Sequence, residues 1–325
     1  MIFFILSLIA SLLLPLVLKI FLAKSRISTV KEKPMLLGLS TYISVISCGL
    51  LALYYHKASE PLVIKILIGS SLILLVGVID DLKNLSVGIK LLGQLIVASI
   101  AVAMGVRTTI YYFPPVLNML ISIIWIVGLI NALNLLDIMD GLCTGISFII
   151  SLSFLLMSGI TKAGYITIFF WILSGSLLAA VVYNFPPAKL YLGDSGSMLV
   201  GFIFACSAMG ISYAPDFSEG LSLFVPLLIV ALPVYDLTFT IFMRRKKRIP
   251  IAQKSKDHFV FIMKGLGFGE KKILALIYGM CILFSLSALF LKITPPSLKI
   301  WPLVFIATAL FLLTGIISKA ESGLR

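Results

Sequence analysis

Three runs of this sequence gather carboxylates, amides and small residues inside or beside strongly apolar stretches. The first is Val78-Ile79-Asp80-Asp81-Leu82-Lys83. The second is Asn131-Ala-Leu-Asn134-Leu-Leu-Asp137-Ile-Met-Asp140-Gly141. The third is Asn184-Phe-Pro-Pro-Ala-Lys189-Leu-Tyr191-Leu-Gly193-Asp194-Ser195-Gly196-Ser197. An ionised carboxylate near hydrocarbon is costly and is usually kept for a partner, an ion or a substrate. Several at one depth suggest a shared cationic target, and oxygen donors of this kind suit Mg²⁺, which keeps waters and bridges phosphates.

Each run also has a plainer reading. Adjacent helical residues point about 100° apart, so Asp80 and Asp81 cannot present the same face. One is free to meet a metal while the other faces a substrate, and Lys83 is placed to pair with Asp80 or to bind a phosphate. A solvated helix end with an ion pair explains this run equally well. In the second run, polar groups at every third position form one ridge. That ridge suits a functional site, or hydrogen-bonded glue between helices. In the third, the prolines end one helix and the glycines allow close backbone approach. Asp194, Ser195 and Ser197 then open an apolar helix whose free N–H groups and dipole make a seat for an anion or its metal. A plain N-cap accounts for one of these residues.

The elements that must carry these runs are membrane helices. Of 325 residues 60% are hydrophobic and 12% charged, and the mean hydropathy is +1.15, a balance suited to lipid rather than water. Apolar windows of spanning length fall at about 1–23, 37–55, 61–79, 89–106, 116–136, 141–160, 165–183, 197–214, 221–243, 271–291 and 297–318. They predict an all-α polytopic bundle of about eleven transmembrane helices in a single membrane-embedded domain, residues 1–325. With the N-terminus outside, nineteen Lys and Arg fall on the inner side and six on the outer, as the positive-inside bias requires. The net charge of +13 then reads as topology and not as nucleic-acid binding. Arg244 to Arg248, directly after a helix, read as an anchor of that topology. The same orientation puts Asp80, Asp81, Asp137, Asp140, Asp194, Asp236 and Asp257 at the cytoplasmic ends. Cys48, Cys143, Cys206 and Cys281 lack metal or redox spacing and read as packing residues. His56 falls in an outer loop and takes no role.

Taken together, the runs resemble the polyprenyl-phosphate N-acetylhexosamine-1-phosphate transferase superfamily (glycosyltransferase family 4), over roughly residues 30 to 270. Pro34-Met-Leu-Leu-Gly38 resembles its early Pro/Gly-Gly segment, with Leu37 replacing one glycine. Asp80-Asp81 match its paired aspartates and Lys83 the nearby lysine. Asn131, Asn134, Asp137, Asp140 and Gly141 fit its N-x-x-N-x-x-D-x-x-D-G run, although Ile138 stands where many members have glycine. Asn184, Pro187 and Gly193 to Ser197 fit N-x-x-P and G-D-x-G-S, and Pro233 with Asp236 fits a Pro-x-x-Asp element. The late H-x-H-H motif is reduced to His258-Phe259-Val260-Phe261. Lys256-Asp257-His258 and Gly267-Phe268 align with the WecA/TagO-like branch, away from the MurNAc-pentapeptide branch.

The resemblance implies a UDP-sugar donor, a polyprenyl (undecaprenyl) phosphate acceptor and release of UMP at the cytoplasmic face of a bacterial inner membrane, with Mg²⁺, or Mn²⁺ in its place, and a homodimer as an admissible assembly. It assigns Asp194 to the metal with Asp81 as a second ligand. It makes Asp80 the group that orients or deprotonates the lipid phosphate. Asn134 and Asp137 bind or position the diphosphate and the metal shell. Asp140 and Tyr191 meet the uridine, while Asn131 and Asn184 also bind substrate. Lys83 and His258 neutralise phosphate oxygens. The rival class is a secondary transporter, which places ionisable groups near mid-membrane and often carries inverted repeats.

Overall fold

The computed structural model describes residues 1–24, 36–57, 60–211, 213, 217–248 and 258–323. Pro34, Met35, Lys256 and Asp257 lie outside the described residues. Among those described, the regular structure is entirely helical: α1 (Ile2–Lys24), α2 (Leu36–Tyr55), α3 (Pro61–Lys83), α4 (Val87–Ala103), α5 (Pro115–Leu136), α6 (Leu142–Ile160), α7 (Tyr165–Asn184), α8 (Gly193–Met209), α9 (Val225–Ile229), α10 (Ala231–Lys246), α11 (Phe259–Gly265), α12 (Glu270–Ile293) and α13 (Ile300–Gly323), with 3₁₀ turns at Phe217–Phe224 and Pro296–Leu298.

Every expected apolar window holds a helix, and among the described residues seven or eight qualify as spans. Seven described segments are long and apolar enough to cross a membrane: α2, α3, α5, α6, α7, α12 and Pro296–Gly315. An eighth is the pair Gly220–Ile229 and Ala231–Lys246 counted together, although the two are bent by 74°. The apolar helices α4 and α8 are shorter. At 1.5 Å per residue, a helix of 17 residues such as α4 or α8 falls a few ångström short of the roughly 30 Å hydrocarbon layer. The chain is a multi-pass membrane protein.

Contacts divide the chain into two compact units, Met1–Ile211 and Ser212–Arg325. In the first, α8 is the hub, packed against α2, α3, α5 and α6. Every residue of α8 except Asp194 and Met209 is buried. Apolar attraction drives helices together only weakly in lipid, so close packing depends on small residues. Two glycines of neighbouring helices make that approach. A Cβ on Gly38 of α2 would lie 2.6 Å from the Gly196 nitrogen, and one on Gly77 of α3 would collide with the Ser195 backbone. Around the hub, α1 packs on both α7 and α2, and serines tie the two seams. Ser11 and Ser176 share a hydrogen bond of 2.7 Å, and Ser44 Oγ donates to the Ser7 carbonyl at 3.0 Å.

In the second unit the α9–α10 bend has a local cause. Pro233 sits in the first turn of α10 and lacks the N–H that would extend a continuous helix back to Ile229, and Val230 at the break has non-helical φ −100° and ψ 17°. Asp236, at zero exposure, and His258, at 2%, are buried in this unit.

Candidate active site

At one end of the first unit four helix ends meet: the last turns of α3 and α5 and the first turns of α4 and α8. They bring together Asp80, Asp81, Lys90, Asn134, Asp137 and Asp194. The chain reaches this arrangement through identifiable local signals. Asn84 stops α3 in a left-handed conformation (φ 50°, ψ 68°), its N–H returning to the Asp80 carbonyl, as in an αL cap. Gly141, at φ 78°, turns the chain from α5 into α6. Gly193, at φ 74°, does the same on entry to α8. These are backbone angles that glycine adopts at little cost.

Asp80 and Asp81 do face apart. Asp80 is buried, with Oδ1 accepting from the Leu85 N–H at 2.8 Å and Oδ2 paired to Lys90 Nζ at 2.7 Å. Its carboxylate is therefore spent on a turn and an ammonium, in place of the open base expected from the sequence. Asp81 accepts from the N–H groups of Asp194 at 2.8 Å and Ser195 at 3.1 Å. The anion seat foreseen at the start of α8 is thus filled from within the chain, by a carboxylate on the positive end of the helix dipole. With both oxygens so used, Asp81 shapes the site and is poorly free to act as a metal ligand.

Lys90 is the cation of the cluster. Its Nζ lies 2.8 Å from Asn134 Oδ1 and 2.8 Å from Asp194 Oδ1, besides Asp80. Asn134 Nδ2 donates to Asp194 Oδ1 and, at 2.9 Å, to Ser197 Oγ. Lys83, the ammonium expected here, is exposed. Lys90 and, one turn on, the buried Gln94 were missed. Both lie in the fourth apolar window at i and i+4, the same kind of polar spacing that marked the Asn131–Asp140 ridge.

Asp137 stands just past the end of α5. Burial, and after it the Asp194 and Asp81 carboxylates, push its carboxyl up to about 7, while the Gly193 N–H bonds it. Asp194 is more open than Asp80 or Lys90, its side chain 39% exposed against 7% and 15%. Two carboxylates, Asp80 and Asp194, thus share the Lys90 ammonium, with Asp81 and Asp137 close to Asp194. Among the described residues no group of three His, Cys, Asp or Glu side chains could by itself hold a metal. Hard oxygen donors in excess of cations fit Mg²⁺ held through one or two carboxylates, the other positions being left to water and phosphate. Asp194 and Asp137 suit that part.

The remaining expected site residues brace the fold around the cluster. Asn131 Nδ2 donates to Gln94 Oε1 at 2.6 Å and to the Val127 carbonyl. Asn184, 2% exposed, accepts from the Gly141 N–H at 3.0 Å and from Thr144 Oγ1, and donates to the Leu190 carbonyl. Its amide oxygen and one of its two N–H groups are therefore engaged inside the protein. Asp140 Oδ2 accepts from the Ala188 N–H at 3.0 Å, pinning the segment that carries the partly buried Tyr191. His258 belongs to the second unit, where its Nδ1 lies 2.8 Å from Asp236 Oδ2 and 3.3 Å from Thr240 Oγ1.

This cluster falls wholly within residues 63–212, which match the family model described as "Glycosyl transferase family 4". A probable undecaprenyl-phosphate N-acetylglucosaminyl 1-phosphate transferase of Bacillus subtilis is 30% identical over 89% of this chain and 80% of its own length. The chain belongs to glycosyl transferase family 4. Two other family relatives frame the range. A decaprenyl-phosphate N-acetylglucosaminephosphotransferase of Mycolicibacterium smegmatis is 29% identical over 77% of this chain and 69% of its own. A phospho-N-acetylmuramoyl-pentapeptide-transferase of Staphylococcus epidermidis is 29% identical over 80% and 85%.

Proposed function

We propose that the chain transfers an N-acetylhexosamine-1-phosphate from a UDP-sugar to undecaprenyl phosphate, releasing UMP and starting a cell-envelope glycan. Membership of a family whose relatives carry sugar-1-phosphate to polyprenyl phosphates supports the transfer. The observation that carries the site is the convergence of Asp80, Asn134 and Asp194 on Lys90 at one end of the bundle, with Asp137 beside Asp194. The reaction exchanges one phosphoanhydride for another, so its difficulty is to bring two phosphate anions together; fixed cations lower that repulsion.

In this reading Asp194, with Asp137 beside it, would hold Mg²⁺, which supplies positive charge to the phosphate oxygens. Lys90 supplies a second, resident positive charge. Asp80 keeps it in place, and Asn134 sets both Lys90 and Asp194. Asp81 holds the start of α8 and so the position of Asp194. Asp140 secures the segment that would present Tyr191 to the uracil ring. His258 is held by Asp236 within the second unit.

Purified protein is to be incubated with undecaprenyl phosphate, Mg²⁺ and a panel of UDP-sugars while UMP release is followed. UMP appearing with one N-acetylated donor, and its loss in inserted Asp194→Asn, is the expected result. Near-normal turnover of Asp194→Asn would refute the metal assignment, and no UMP with any donor would refute the reaction.

A further inference from the structure

Gln94 has no exposure. Its Oε1 accepts from Asn131 Nδ2 at 2.6 Å, while its Nε2 finds no partner. A buried amide with an unused donor is a standing cost that an apolar residue of the same size would not carry. It lies one turn below Lys90 on α4, and Asn131 lies one turn below Asn134 on α5. The α4–α5 seam therefore has two polar rungs, Lys90–Asn134 at 2.8 Å and Gln94–Asn131 at 2.6 Å.

The rest of α4 gives this seam little help. Leu91, Leu92, Leu95, Ile96 and Ile100 are all exposed on it, and only Gln94, Val97, Ala98, Ala101 and Val102 are buried. A narrow apolar stripe in lipid sets register weakly, whereas a buried hydrogen-bonded pair sets it sharply. A slip of one residue rotates α4 by about 100° and shifts it by about 1.5 Å, which would carry Lys90 Nζ off its three acceptors.

We propose that Gln94 is a positioning residue of the transfer site: through Asn131 it fixes the register of α4 against α5, and so holds Lys90 between Asp80, Asn134 and Asp194. This rests on the reading of the cluster as the transfer site, and it takes Asn131 from substrate binding to support.

The test uses the full chain in detergent with two readouts: transfer kinetics, and the rate at which an amine-reactive reagent labels Lys90 relative to exposed Lys83. Gln94→Met keeps length and volume and removes the hydrogen bond. It is expected to lower kcat by about tenfold or more, since misplacement of about 1 Å can cost up to a hundredfold, while KM for the donor stays within about twofold and Lys90 labelling speeds up severalfold. Gln94→Asn and Asn131→Gln should each be impaired, and the two together, which restore the combined reach, should recover most activity and the slow labelling. If Gln94→Met fails to fold, the swap series decides alone. Wild-type kcat and labelling in Gln94→Met, or a double variant no better than the worse single, overturns the inference. Altered Lys90 labelling in a protein that transfers no sugar-1-phosphate leaves the rung standing and overturns the transfer reading instead.

Discussion

At the cluster the decisive contrast is between two lysines. Lys90 meets Asp80, Asn134 and Asp194 within 2.8 Å, while Lys83 is exposed. An ammonium preorganised against developing phosphate charge is worth a few kcal/mol. Lys90→Met is therefore expected to lower kcat by about a hundredfold or more, and Lys83→Met to leave it within about twofold. Steady-state kinetics of the two inserted variants decide; the opposite order would return the cation role to Lys83. A second residue-scale consequence concerns pH. With no cation bound, Asp137 keeps its proton to about 7, chiefly through burial and then through Asp194 and Asp81. The folded state thus binds more protons than the unfolded chain between the ordinary carboxyl range and about 7, so cation-free stability falls as pH rises across that window and levels off above it. Divalent-ion binding needs the ionised form, so the thermal shift produced by Mg²⁺ should grow from pH 6 to pH 8. In Asp137→Asn the growth should vanish, and an unchanged profile there would place the titrating group elsewhere. The sequence made the carboxylates and Asn134 legible, because polar spacing inside apolar runs survives without coordinates. It hid which oxygens are already occupied. That Asp81 sits on the N–H groups of Asp194 and Ser195, and Asn184 on Gly141, Thr144 and Leu190, depends on contacts between segments far apart in the chain.

One scale up, what positions Asp194 is the approach of α3 to α8. Gly77 touches the Ser195 backbone, and Asp81, one helical turn further along, covers the Asp194 and Ser195 N–H groups. A methyl group at Gly77 would meet backbone, which cannot rotate away as a side chain can, so the two helices must part. Overpacking of this kind costs about 1–3 kcal/mol. Parting would also stretch the two bonds that hold Asp81 on the helix start. Gly77→Ala should therefore lower the melting temperature in detergent and also lower kcat beyond the loss shown by Gly93→Ala, whose added carbon would press only on the Val76 side chain. Equal effects of the two substitutions would detach the α3–α8 approach from the site. The existence and order of the helices were legible from hydropathy alone. The spanning count was not, since α4 and α8 are apolar but short and α9 and α10 bend at Val230, and hydropathy windows do not register a bend or a helix that stops early.

For the molecule as a whole, the distribution of charge predicts which side of the membrane the cluster faces. Arg245, Lys246 and Arg248 are exposed after α10, whereas Arg244 is 5% exposed, so the basic run is in part a solvated anchor and in part a packed residue. A solvated cationic run resists translocation; for the cluster, the proposed use of a soluble nucleotide donor predicts that the Asp80–Asp194 end opens to the cytoplasm. The four native cysteines are free and buried, so they offer little background to a thiol probe. Single cysteines can replace exposed Arg107, beyond the far end of α4, and exposed Lys83, at the cluster end of α3. In intact cells a membrane-impermeant maleimide is expected to label Arg107→Cys at once and Lys83→Cys only after lysis. The reverse pattern would turn the cluster outward, where no nucleotide pool feeds it, and would defeat the transfer reading. Replacing Arg245 to Arg248 by glutamine should blur the distinction, giving two populations, while the fraction still correctly inserted keeps its turnover. Loss of turnover in that fraction would show that the run serves the reaction as well as the topology.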